Sequence, residues 1–132
     1  MMVLLFKNGS SKLESVTVSL FLYIQKGVNM VITWDPNKAI ANKRDHGISF
    51  ETAQYVFADP NRLERYDRSE NNDSEEDRYQ TLGLVGKVLF VVYTERADTC
   101  RLISARLADK DERRIYYENG NTRNTNWSKA DS

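Results

Sequence analysis

A chain of 132 residues has the length of one compact domain, and its 19 basic and 19 acidic side chains leave no net charge to draw in a polyanion from a distance. Any nucleic-acid binding therefore has to come from a local basic patch. Cys100 is the only cysteine and His46 the only histidine, which excludes an internal disulfide and supplies too few soft ligands for the usual zinc site, so no metal and no cofactor is expected.

Residues 1–29 differ in pattern from the rest of the chain. Two short apolar runs, Met1–Phe6 and Val16–Ile24, are separated by polar and charged residues. The second run falls short of the roughly 20 apolar residues that a membrane helix takes, and no A-x-A-like cleavage site comes after it. Neither a membrane location nor export is expected, and the chain reads as cytoplasmic. Lys26-Gly27-Val28-Asn29 is compatible with codons that contain a purine-rich ribosome-binding sequence just ahead of Met30. The expectation is a domain over 30–120, with 1–29 an N-terminal extension or translated leader and 121–132 a polar tail.

From Met30 the punctuation is clear. Val31–Trp34 is β-like, Asp35-Pro36 opens a helix that runs through His46, and Gly47 stops it, with Lys43, Arg44 and His46 near its negative end. Ser49 caps a second helix that carries Phe50, Ala53, Tyr55, Val56 and Phe57 on one side until Asp59-Pro60 breaks it. Arg62–Tyr66 reads as extended. Asp67–Asp77, with six acids against one arginine, reads as a solvated loop.

Arg78–Val85 and Lys87–Thr94 form a hairpin about Gly86, and Val88–Tyr93 is apolar on both alternating faces, as in a strand covered on two sides. A further strand is expected at Arg101–Ala108. Asp109 and Glu112 have the spacing of a capping box and open a last helix through Tyr117, which Asn119-Gly120 ends. The tail from Asn121 is polar, with Trp127 as an anchor. Two helices, a meander of strands and a closing helix predict an α+β fold, an antiparallel sheet with the helices packed on it and strands neighbouring in chain order.

The sharpest chemistry lies in Arg101-Leu102-Ile103-Ser104-Ala105-Arg106, a strand with a permanent, five-donor cation at each end. Strict alternation would point Arg101 and Arg106 to opposite faces, so they serve one site only if the strand bulges or the site wraps its end. Structural ion pairs with the many acids are the competing reading. Tyr79 and Tyr93 lie on neighbouring strands and could share a face, a pair more often core or rim aromatics than catalysts.

Trp34-Asp35-Pro36, Asn42, His46-Gly47-Ile48-Ser49-Phe50-Glu51, Ala53, Phe57-x-Asp59-Pro60, Arg78, Gly83, Val91-Val92-Tyr93-Thr94, Arg101-x-Ile103-Ser104-Ala105-Arg106 and Glu112-Arg113-Arg114-x-Tyr116 together resemble the BrnT family of bacterial toxins. The resemblance runs in order from about Val31 to Tyr117. It implies a fold similar to RelE, a small α+β ribonuclease, and the toxin half of a type II toxin-antitoxin pair. It further implies a BrnA-like antitoxin with a ribbon-helix-helix domain, through which alone the pair reaches operator DNA. One position departs: the family usually has Lys before His-Gly, where this chain has Asp45.

Metal-free RNA cleavage needs a base for the ribose 2′-OH, cations for the charged phosphorane and an acid for the departing 5′-oxygen. Histidine is the one side-chain type here suited by its chemistry to both giving and taking a proton, so His46 can take either proton role; a cation at the end of its helix is the competing reading. Arg78, Arg101 and Arg106 are the candidates for stabilising charge, Glu76 for orienting Arg78 or acting as base, and Tyr93 and Glu112 stand behind them. Lys43, Arg44 and Arg113 are candidates for RNA binding. A non-catalytic protein-binding module, or a degenerate toxin acting only in antitoxin binding and operon autoregulation, remains the alternative.

Overall fold

Helix α1 (Pro36–His46) begins and ends on local chemistry. Asp35 accepts hydrogen bonds from the amides of Asn37 at 2.7 Å and Lys38 at 3.4 Å, and Pro36 has no amide to satisfy. Gly47, in the left-handed region at φ 74°, closes the helix by donating to the Lys43 carbonyl. The computed structural model describes residues 2–7, 13–25, 28–69, 77–96, 98–120 and 126–130, with side chains from Met30 onward.

Helix α2 (Phe50–Ala53) is capped by Ser49 as expected, but it tightens after one turn into a 3-10 helix over Gln54–Ala58. The sequence predicts one continuous helix here. The tighter turn seats both Val56 and Phe57 in the core, and Val56 rests directly on Gly83. A Cβ at position 83 would stand 2.7 Å from the Val56 Cβ and 3.1 Å from its Cα, so the site has room for glycine alone. Gly83→Ala is expected to destabilise the fold by roughly 1–3 kcal/mol through overpacking, read as a lower denaturation midpoint with an unchanged urea slope. An unaltered midpoint would show that the 3-10 helix is not pinned there.

Eight described strands make one sheet: β1 (Met2–Lys7), β2 (Leu13–Gln25), β3 (Val28–Trp34), β4 (Leu63–Tyr66), β5 (Arg78–Val85), β6 (Lys87–Arg96), β7 (Thr99–Leu107) and β8 (Ser128–Lys129). Their order is β1-β2-β3-β7-β6-β5-β4-β8. With helix α3 (Lys110–Tyr117), opened by the Asp109–Glu112 capping box, this is the α+β class that the sequence predicts. Strands β4 to β7 follow chain order. Strand β3 does not: it runs parallel to β7, from Val31 opposite Thr99 to Trp34 opposite Leu102, and so corrects the expectation of a purely antiparallel sheet. Pairing there buries Ile32 and Trp34 beneath the helical segments, where Trp34 meets Phe50 edge to face at 6.0 Å. Of the tail, residues 126–130 are described, and they dock on the sheet. Trp127 packs on Phe90, and Ser128 and Lys129 pair with Glu64 and Leu63.

Each face of the sheet has its own core. On one, Ile32, Trp34, Leu89, Val91, Tyr93, Cys100, Leu102 and Ala105 pack against Phe50, Ala53, Val56 and Phe57. On the other, Leu63, Leu82, Val88, Phe90 and Val92 pack against Ala108, Tyr116 and Trp127. Strand β6 alternates between the two, which is why its apolar run is unbroken. Tyr79 and Tyr93 share a face and stack at 5.8 Å, as their neighbouring strands allow. Among the described residues no helix is long and apolar enough to cross a membrane.

Candidate functional site

The site is decided by one residue of β7. Val92 of β6 lies opposite Ser104, but the next residue, Tyr93, lies opposite Leu102, so Ile103 is an extra residue and the strand bulges there. Arg101 and Arg106 are five positions apart, an odd spacing that a regular strand would send to opposite faces. The added residue turns them to the same one. Thr94 is opposite both Arg78 and Arg101, while Phe90 is opposite Arg106, and directly opposed side chains leave a sheet on the same side. Arg78, Arg101 and Arg106 thus share the face that carries Phe90 and Val92.

Along that face the side chains form three rows across β5, β6 and β7. The first is Arg78, Thr94 and Arg101; the second Gln80, Val92 and Ser104; the third Leu82, Phe90 and Arg106. The outer rows stand four residues apart on β6, roughly 13 Å at the usual rise. Helix α3 and Trp127 cover the Leu82–Phe90 end, since Ala108, Tyr116 and Trp127 pack there. Arg65 extends the middle row on β4: it lies opposite Gln80, donates to its side-chain oxygen at 2.6 Å, and stacks on Trp127 at 4.2 Å. Burial pulls the Arg65 guanidinium below its ordinary value.

The three arginines differ in freedom. Arg106 is forked onto both Glu112 oxygens at 2.8 and 3.0 Å and lies 4.0 Å over the Phe90 ring. The hydrogen bond to Glu112 raises its affinity for its proton further. Arg101, half-buried, has no hydrogen-bond or ion-pair partner for its guanidinium among the described residues. Arg78 is also half-buried, at the start of β5.

The remaining candidates fall in three places. His46 is exposed at the end of α1 and lines a shallow pocket of about 240 Å³ with Lys38, Ala41, Asn42, Asp45 and the bulged Ile103. This pocket forms because buried Asn42 acts as a substitute strand edge. Its amide accepts from the Ala105 N–H at 3.0 Å and donates at 2.9 Å to the carbonyls of Ala105 and Ile48, which holds α1 against β7 just past the bulge. Lys43 donates to the Gly47 carbonyl, and Arg44 pairs with Asp45 at 2.9 Å, a contact that holds the Asp45 carboxyl below its ordinary value. Arg113 donates to the Ala108 carbonyl.

Tyr93 is not brought to the arginines. It is fully buried on the opposite face, its hydroxyl donating to Glu64 at 3.0 Å and receiving Arg62 at 3.4 Å, and burial raises its proton affinity well above the usual phenol. Glu76 lies outside the described residues. Sequence reasoning missed Thr94, Gln80, Ser104 and Arg65 on the arginine face. The parity of Arg78 and Gln80 on one strand was a usable signal; that of Thr94 was not, because its neighbours on that face come from other strands.

The fold is an α+β domain in which, among the described residues, helical segments pack on one sheet face and Arg78, Arg101 and Arg106 lie on the other beside α3 and Trp127. A family model described as the ribonuclease toxin, BrnT, of a type II toxin-antitoxin system matches residues 34–112, more than half of the chain. The chain belongs to the BrnT family of ribonuclease toxins. No curated protein matches it.

Proposed function

We propose that this protein is the toxin of a type II pair and cuts RNA without a metal, through attack of a ribose 2′-oxygen on the adjacent phosphorus. The observation that carries this reading is the bulge at Ile103, which turns Arg101 and Arg106 to the one sheet face that also carries Arg78. In the step, the 2′-oxygen loses its proton to a base, the bond from phosphorus to the 5′-oxygen breaks, and that oxygen takes a proton. The products carry a 2′,3′-cyclic phosphate and a 5′-hydroxyl. Arg78 and Arg101 stabilise the doubly charged phosphorane, and Arg106 holds the strand further along the groove. His46, beside the bulge, serves as base or acid. Glu76 keeps its sequence-derived role as an alternative base, and Lys43, Arg44 and Arg113 extend the contact to flanking phosphates. Tyr93 stabilises the fold instead.

The toxin domain runs over 30–120, with 1–29 an extension of it. It acts in the cytoplasm by inhibiting translation. A BrnA-like ribbon-helix-helix antitoxin neutralises it and supplies the only link to operator DNA. The decisive assay is purified, folded, antitoxin-free protein incubated with RNA in the presence of chelator: cleavage to cyclic-phosphate ends supports the reading, and intact RNA defeats it. One observation favours a second reading, a toxin that only binds its partner: Arg106 is already held by Glu112.

Asp45 bears on the same choice. It neutralises Arg44 beside His46, where the family usually has lysine. Asp45→Lys is expected to strengthen RNA binding roughly threefold at low salt and to steepen its salt dependence, since it adds one cation and releases another. Equal affinity and equal growth inhibition would remove Asp45 as a cause of weakened activity.

A further inference from the structure

The first row of the arginine face contains a hydroxyl that the fold itself does not use. Thr94 is 4% exposed, and its Oγ1 is buried with no hydrogen-bond partner among the described residues. Buried hydroxyls are ordinarily satisfied, because they give up water in order to be there. On the same side of β6 the next positions are the apolar Val92 and Phe90, so valine would suit the sheet here at least as well as threonine. What distinguishes Thr94 is its neighbours. It stands directly between Arg78 on one side and Arg101 on the other, each about 5 Å away at Cβ by the usual spacing of opposed pairs.

We infer that the Thr94 hydroxyl is a ligand for a non-bridging phosphate oxygen of an RNA strand, gripped between Arg78 and Arg101 and so completing a three-donor phosphodiester site. The inference deepens the ribonuclease reading and rests on it for the identity of the strand. Two guanidinium forks supply charge and planar donors from either side. The hydroxyl supplies a short, neutral donor from the floor of the groove, fixed by a rigid central strand. Both flanking arginines are half-buried, and the inferred site takes the phosphate by opening the cover over the hydroxyl. Because threonine is branched at Cβ, its rotamer is narrowly defined and the donor direction is set before the ligand arrives.

Two substitutions at this position test the inference, with two oligonucleotides of the same sequence as probes. One is fully 2′-O-methylated, which keeps every phosphate and cannot be cut by 2′-oxygen attack; the other is ordinary RNA. Thr94→Val keeps the shape and removes the hydroxyl, and it should bind the methylated strand about ten- to a hundredfold more weakly while melting no lower than the parent. Thr94→Ser should bind within about threefold of the parent, since the donor is retained. A Thr94→Val protein that is folded and binds equally well overturns the inference, as does one that melts several degrees lower, because the hydroxyl would then be satisfied within the fold. Absence of binding by the parent overturns it too. Weakened binding in Thr94→Val with ordinary RNA left uncut by the parent upholds the phosphate site and defeats the ribonuclease reading. Equal cutting by both proteins does the reverse.

Discussion

Arg101→Ala is expected to slow RNA cleavage by about a hundred- to a thousandfold, the size of effect seen when one preorganised donor to a developing charge is removed. Its guanidinium has no partner among the described residues, so its loss orphans no carboxylate there. The melting temperature should stay within a degree or two. Arg106→Ala provides the contrast. It leaves Glu112 without its two charge-assisted bonds and strips the cover from Phe90, so it should lose stability on the order of 1 kcal/mol as well as activity. Single-turnover cleavage beside thermal melts of both variants checks this. Full activity in Arg101→Ala would remove the arginine face from the mechanism.

The other large effect concerns stability alone. Arg62 is 5% exposed and places one guanidinium nitrogen within 3.2 Å of Thr81 Oγ1, 3.4 Å of the Tyr93 hydroxyl and 3.5 Å of Glu64, with the group lying over the Phe57 ring. Tyr93 in turn donates to Glu64, and Thr81 donates to the Leu63 carbonyl at 2.6 Å. A buried charge set removed on one side leaves its partners desolvated and unmatched. Arg62→Met should therefore destabilise by roughly 3–5 kcal/mol in a urea titration. Thr81, Tyr93 and Phe57 belong to the face away from Arg78 and Arg101, so whatever protein remains folded should cleave at the parent rate. A loss below about 1 kcal/mol would mean that Arg62 reaches water when its partners move.

Sequence reading reached some features and missed others for reasons that differ in range. Asp35-Pro36, Gly47, the Asp109–Glu112 box and the Gly86 hairpin were all legible, because each is settled by groups within a few residues of one another. The two-sided burial of β6 was legible from its unbroken apolar run. The 3-10 tightening at Gln54–Ala58 was not, because it answers to the missing side chain of Gly83, a residue far along the chain. The same holds for the parallel seat of β3 beside β7 and for the docking of Trp127 on Phe90.

The candidate site divides along the same line. By itself the sequence determined the family, the α+β class, the boundaries of α1 and α3 and the arginines as the residues with the most chemistry to offer. It also set the condition under which Arg101 and Arg106 can act together. Only the tertiary structure decided that β7 bulges at Ile103, that Tyr93 faces the other core, and that Thr94 lies between two guanidinium groups. Caps and turns are local arrangements between a side chain and its own backbone. The face that a strand residue occupies depends on register with strands remote in sequence, and a single added residue reverses it.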